Sequence, residues 1–183
     1  MTNTDIAAPL AAALAERGYE NLTAVQKAVL APDAQGRDLL DSAQTGSGKT
    51  VAFGIAAAPD LQGDNDNLPQ NTAPLALVIA PTRELALQVA AELTWLYAAT
   101  GAEIATCVGG MDYRTERRAL ARGAQIVVGT PGRLRDHIER GSLDLADLRV
   151  AVLDEADEML DLGFREDLEF ILESAPETRH ADV

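Results

Sequence analysis

The sequence predicts an α/β fold, a mainly parallel sheet flanked by helices, with residues 1–183 forming one domain. Three observations predict it. Short apolar runs alternate with longer segments of helical periodicity. The clearest run, Leu75-Ala76-Leu77-Val78-Ile79-Ala80, has no polar residue, as expected of a strand buried on both faces. Each run also ends in a tight or polar group, and the strand ends of a parallel sheet share one rim, where ligands bind.

Composition agrees with that class. A chain of 183 residues suits one domain with a sizeable core. No apolar run approaches the roughly 20 residues that span a bilayer, so no membrane partner is expected. The first residues show no basic stretch leading into an apolar one, so no signal peptide is expected either. A lone cysteine, Cys107, allows no internal disulfide and fits a cytoplasmic location. The two histidines lie too far apart in sequence to support a Cys/His metal site.

The net charge of −14 argues at first sight against nucleic acid, whose binding depends on Lys and Arg. Distribution matters more than the sum. Seven arginines fall between Arg114 and Arg140, and eleven acids between Asp144 and Glu173. A polar molecule with one basic face remains compatible with RNA. A solvated charged helix at 114–122 explains the arginines equally well.

Taken in order, the first thirty residues read as two helices. Leu10 and Leu14 share a face, and Gly18 is placed to end the first helix. Thr23-Ala24-Val25-Gln26 fits a capping box at the start of the second, which gives Gln26 a structural task. A short apolar run at 38–42 then precedes Ala43-Gln44-Thr45-Gly46-Ser47-Gly48-Lys49-Thr50 and a helix-compatible run at 51–58. Strand, loop and helix in that order form the setting of a phosphate-binding loop. Gly46 and Gly48 permit close backbone approach to an anion, and the helix N-terminus and Lys49 supply positive charge. The Thr50 hydroxyl suits Mg²⁺.

Residues 60–74 are rich in Asn, Asp, Gln and Pro and read as a surface loop. After the run at 75–80, Leu85, Val89, Leu93 and Leu96 recur at helical spacing, with Trp95 and Tyr97 as core or half-buried fillers. A strand at 103–108 ends at Gly109-Gly110, and Cys107 within it reads as a small buried apolar residue. An arginine-rich helix at 114–122 stops at Gly123, and a buried strand follows at 125–129. Thr130 is placed as N-cap and Pro131 as first residue of a helix that Gly141 closes. A strand at 150–154 ends in Asp154-Glu155-Ala156-Asp157, and a last helix at 165–174 stops before Pro176.

Asp154 follows its strand as a Mg²⁺-coordinating acid does in phosphate-loop nucleotidases, and Glu155 is placed to act as general base on water. Gly109-Gly110 and Thr130-Pro131-Gly132 offer backbone N–H groups and a hydroxyl to nucleic-acid phosphates, with charge from Arg83 and Arg133. Tight turns and capping account for these glycines and Thr130 almost as well.

Together these motifs resemble the DEAD-box ATP-dependent RNA helicases. Asp154-Glu155-Ala156-Asp157 is the motif that names the family, and 43–50 is similar to its phosphate loop. Pro81-Thr82-Arg83-Glu84-Leu85-Ala86, Gly109-Gly110 and Thr130-Pro131-Gly132-Arg133 match its RNA-binding motifs in order. The resemblance runs from about residue 7 to 176 and implies a RecA-like phosphate-loop domain.

By that resemblance, Tyr19 would stack on adenine, Gln26 would bond its edge, and residues 45–50 would hold ATP with Mg²⁺ on Thr50 and Asp154. Lys49, Asp154 and Glu155 would serve catalysis, and Asp157 would couple the nucleotide to a second domain. Pro81, Thr82, Arg83, Gly109, Gly110 and Thr130 to Arg133 would hold RNA, single-stranded or duplex. The sequence departs from the family pattern at Leu22 and Ala24, where prolines are usual, and at Asp41, where a small or apolar residue is usual. The aromatic usually found a turn before the first helix is also missing.

The family carries two such domains, and the second, with its arginine finger, is absent from these residues. Nucleotide binding with very weak hydrolysis is therefore expected of this chain. The family's Ser-Ala-Thr strand, which lies between the strands ending at 42 and 154, is missing too. Either residues 178–183 begin that strand, or the sheet is distorted or borrows one. Rival readings are a non-catalytic nucleotide- and RNA-binding module and a related DNA-directed helicase domain.

Overall fold

A computed structural model describes residues 73–176 and the strand backbone of 39–40 and 179–182. The elements expected before residue 73, including the phosphate-binding loop at 43–50, Tyr19 and Gln26, lie outside the described residues. Among the described residues six strands form one sheet: β1 (Leu39–Leu40), β2 (Ala76–Ile79), β3 (Ile104–Cys107), β4 (Ile126–Gly129), β5 (Val150–Leu153) and β6 (Arg179–Asp182). Their spatial order is β1-β6-β5-β2-β4-β3, and every pairing is parallel.

The interior strands follow from their side chains. All four residues of β2, β4 and β5 are buried, so both faces of the sheet centre are covered. A parallel sheet demands this, because its crossover helices pack on both sides. β3, at the sheet edge, alternates half-buried and buried positions. Two apolar layers result. Leu75, Val78, Val128 and Val152 pack with α1 (Arg83–Leu96) on one face. On the other, Leu77, Ile79, Val127 and Leu153 pack with residues of α2 (Tyr113–Arg122), α3 (Pro131–Glu139), α4 (Ala156–Asp161) and α5 (Arg165–Glu173).

Helix ends follow local chemistry. The Thr82 hydroxyl accepts the Leu85 N–H at 3.2 Å and caps α1. Asp112 caps α2 by accepting the Arg114 N–H, and Gly123 ends that helix. Thr130 holds the N-cap position of α3 with Pro131 after it, as expected, but its side chain makes no capping bond. Tyr97 is fully buried and Trp95 half-buried, both as expected.

β6 supplies the strand whose place between β1 and β5 was in question. Leu39 and Leu40 pair with Ala181 and Asp182, and Val150 to Leu153 pair with Arg179 to Asp182. The first of the two outcomes expected for that gap is therefore the one observed. No borrowed strand is required.

Candidate functional site

The register places the chemistry on one rim. Ile79, Leu153, Gly129 and Cys107 are level across the sheet, and Leu40 and Asp182 continue the row. The ladder's final bonds come from residues just past their strands. Ala80 N–H donates to Gly129 (2.9 Å), Thr130 N–H to Cys107 (3.1 Å) and Asp154 N–H to Ile79 (2.8 Å). Beyond these the chain leaves the sheet, so Pro81 to Arg83, Gly109-Gly110, Thr130 to Arg133 and Asp154 to Asp157 share the carboxyl edge. β1 also ends there, three residues before Ala43.

At the end of β5, Asp154 is only 3% exposed. Glu155 follows in the left-handed region, with φ 58° and ψ 51°, the only non-glycine residue with positive φ among those described. A side chain is disfavoured there by roughly 1–2 kcal/mol, because Cβ crowds the carbonyl oxygen. Observed strain of this kind is a pointer to function. Asp157 is exposed in the first turn of α4, where the helix dipole favours an acid whatever its role.

A second group gathers around the Gly109-Gly110 turn. Both glycines are exposed, and their N–H groups make no hydrogen bond among the described residues. Gly110 has φ +83°, and a Cβ there would stand 2.6 Å from Arg83 Nη1. Two arginines converge on the next residue. Arg83 Nη2 lies 3.7 Å from Met111 Sδ, and Arg133 Nη2 donates to the Met111 carbonyl at 3.0 Å. Thus Arg83, the glycine pair and Arg133, separate in sequence, meet at one loop.

Buried chemistry underneath holds that loop. Glu116 is 3% exposed, and its Oε2 accepts the Val108 N–H at 2.8 Å. Its Oε1 lies 2.9 Å from His137 Nε2 and 3.6 Å from Arg133 Nε. His137 is fully buried and stacks on Tyr113 with ring centroids 4.3 Å apart, while the Tyr113 hydroxyl and Ser142 Oγ share a 2.8 Å hydrogen bond. One carboxylate therefore ties the end of β3 to α2 and α3. Burial, then the Glu116 charge, raises the Cys107 pKa far above its usual range, with Arg133 partly offsetting. Cys107 is packing and stays a thiol, as its sequence setting implied.

No motif or spacing singled out Glu116, His137, Tyr113 or Met111. Glu116 sits among arginines and reads as one more solvated charge. The available signal was its position four residues before Leu120, on the buried face of α2. For metals, the described residues contain no cluster of three or more Asp, Glu, His or Cys. A single buried carboxylate such as Asp154 nevertheless fits Mg²⁺, which usually keeps several waters and takes one or two carboxylates.

Comparison with known proteins gives a consistent answer. The DEAD/DEAH box helicase family model matches residues 23–181. The chain is 48% identical over 171 residues to the ATP-dependent RNA helicase DeaD of Escherichia coli (strain K12), covering 93% of this chain and 26% of that protein. It is 46% identical to the DEAD-box ATP-dependent RNA helicase 3A, chloroplastic, of Zea mays, covering 94% of this chain and 23% of the relative. The chain thus spans about a quarter of the length of these curated relatives. Among solved structures, a DEAD box protein from the hyperthermophile Methanococcus jannaschii superposes with a TM-score of 0.84 at 36% identity, over 97% of this chain and 47% of that one. An S. cerevisiae Dbp5 variant bound to RNA and ADP BeF3 superposes with a TM-score of 0.83 at 24% identity, covering 99% and 45%, and supports the fold alone. Five ordered sequence motifs, four of them described on one rim of a parallel sheet, and a family match over most of the chain agree: the chain belongs to the DEAD/DEAH box helicase family.

Proposed function

We propose that this chain is the nucleotide- and RNA-binding RecA-like domain of an ATP-dependent RNA helicase, acting in the cytoplasm. The observation that carries the reading is the shared rim. Asp154 and Glu155 stand on it one strand away from β1, which leads to 43–50, and the Arg83, Gly109-Gly110 and Arg133 group stands on it farther along. Lys49 and Thr50, with Thr45 to Gly48, hold the phosphates, while Tyr19 and Gln26 hold adenine. Mg²⁺ bound to Thr50 and Asp154 would neutralise phosphate charge. Glu155, fixed in its strained turn, orients water and takes its proton. Pro81 to Arg83, Gly109-Gly110 and Thr130 to Arg133 hold the RNA backbone, which gives no base preference.

In a whole helicase, closure of a second domain on ATP and RNA would bend one strand and open a short duplex, with Asp157 coupling the halves. An arginine finger from the second domain is worth roughly 10³–10⁵ in rate in related nucleotidases. We therefore expect these 183 residues alone to bind nucleotide and hydrolyse it barely.

The test is titration with labelled adenine and guanine nucleotides in Mg²⁺, with Lys49→Ala and Gln26→Ala alongside. Adenine preference lost in Gln26→Ala, and all binding lost in Lys49→Ala, are the expected results. Equal affinity for both bases would overturn the ATP assignment. Competition between single-stranded RNA and DNA at fixed salt separates this reading from a DNA-directed one. RNA-stimulated turnover at the rate of an intact helicase would overturn the weak-activity expectation.

A further inference from the structure

We propose that the outward face of α2 is a second RNA-contacting surface, taking the phosphate backbone of a strand that continues past the Gly109-Gly110 turn. The proposal rests on the RNA reading above.

Arg114, Arg117, Arg118 and Arg122 are all exposed. At about 100° per residue they fall within one arc of roughly 140°, opposite the buried Glu116 and Leu120. None of the four side chains has an ion-pair or hydrogen-bond partner among the described residues. Arg135 and Arg140, on and just after α3, behave otherwise: each pairs with an acid four residues away, Glu139 and Asp136. The single acid of α2, Glu116, is turned inward and committed to Val108 and His137.

Such a helix works against itself. Like charges at i,i+4 are destabilising, and Arg114 stands in the first turn, where the helix dipole disfavours a cation. In a chain of net charge −14, acids are plentiful, yet among the described residues none pairs with this face. An external polyanion would.

Position and chemistry favour RNA as that polyanion. α2 begins three residues after Gly110, beside the loop where Arg83 and Arg133 converge. Arg114 to Arg122 spans eight residues, about 12 Å at 1.5 Å per residue, long enough to follow successive phosphates along one strand. All four cations are arginines, whose planar fork suits phosphate. Surface-lying membrane helices carry large apolar side chains opposite their basic face, whereas the opposite face of α2 is already packed in the core.

The experiment uses the 183-residue chain with labelled single-stranded RNA of about 6 and about 20 nucleotides, over a series of salt concentrations. The variant is Arg114→Gln/Arg117→Gln/Arg118→Gln/Arg122→Gln, whose exposed sites and helix-compatible replacements leave the core intact. Single Arg117→Gln serves as a second variant. Wild type should bind the long RNA more tightly than the short one. The quadruple variant should lose that advantage, its slope of log affinity against log salt becoming shallower by about 2–3, and Arg117→Gln shallower by about 0.7. Binding of the short RNA should be unchanged. Equal long-RNA affinity and slope in wild type and variants would overturn the proposal while leaving the RNA reading intact. So would a variant whose only change is in self-association, which would make an acidic protein surface the occupant. Failure of wild type to bind either RNA would instead overturn the RNA reading itself.

Discussion

Replacing Glu116 with alanine leaves the Val108 N–H and the His137 imidazole without their acceptor in a site 3% exposed or less. Each buried polar group stranded this way costs about 1–3 kcal/mol, so with two such groups Glu116→Ala should lose about 2–6 kcal/mol in urea unfolding. Glu116→Gln keeps a carbonyl oxygen for one of the two partners and should lose less. If alanine and glutamine unfold alike, the carboxylate is not what ties β3 to α3. Glu155 gives the opposite kind of prediction, because its cost lies in the backbone. Glycine is free of the Cβ clash at φ 58°, whereas alanine is not. Glu155→Gly should therefore be more stable than Glu155→Ala by about 1 kcal/mol, although both remove the carboxylate. Both should be inert in single-turnover hydrolysis. Equal stability of the two would mean that the turn relaxes and stores no strain.

At the level of elements, the distance between strand and helix decides where Arg133 stands. A Cβ on Gly129 would lie 2.5 Å from the Cys107 carbonyl oxygen and 2.7 Å from Leu134 Cγ. Neither atom can yield easily, since one is ladder backbone and the other is a fully buried side chain. Gly129→Ala should cost roughly 1–3 kcal/mol and push α3 outward. RNA affinity should fall with it, as Arg133 leaves the Met111 carbonyl, and unchanged stability and affinity would show that the contact is slack. Glycine at 129 was legible only as the end of a strand. The strands themselves were legible, because a fully covered parallel strand must be apolar throughout, as 75–80 and 150–153 are. Helix ends at Gly123 and Gly141 were legible too, both adopting positive φ. α4 was not, since six residues beginning Ala-Asp-Glu carry no periodicity to separate helix from acidic turn. Nor was the convergence of Arg83 and Arg133 on Met111, which depends on how three loops approach one another rather than on any local pattern. For β6 the sequence left two outcomes open, because Arg-His-Ala-Asp has no apolar run to mark a strand.

For the molecule as a whole, that polar strand matters more than its composition suggests. β6 lies between β1 and β5, pairing with both in parallel. Without it, two strands would face one another across a missing neighbour, each with unsatisfied N–H and C=O groups. β1 leads to residues 43–50, which we propose as the phosphate loop, so the loss should reach nucleotide binding as well as folding. A chain ending at residue 176 should then unfold at lower urea than the 183-residue chain, self-associate in light scattering through its open edges, and bind adenine nucleotide more weakly. Adding a synthetic peptide of residues 177–183 should restore monomer and affinity together, because a strand can be supplied in trans by edge pairing. Recovery of one without the other would separate the edge effect from the binding effect. A monomeric chain of 176 residues with the urea midpoint and nucleotide affinity of the longer one would mean that β1 and β5 close the gap by themselves, and that β6 is an ornament on the sheet rather than the strand that joins its two parts.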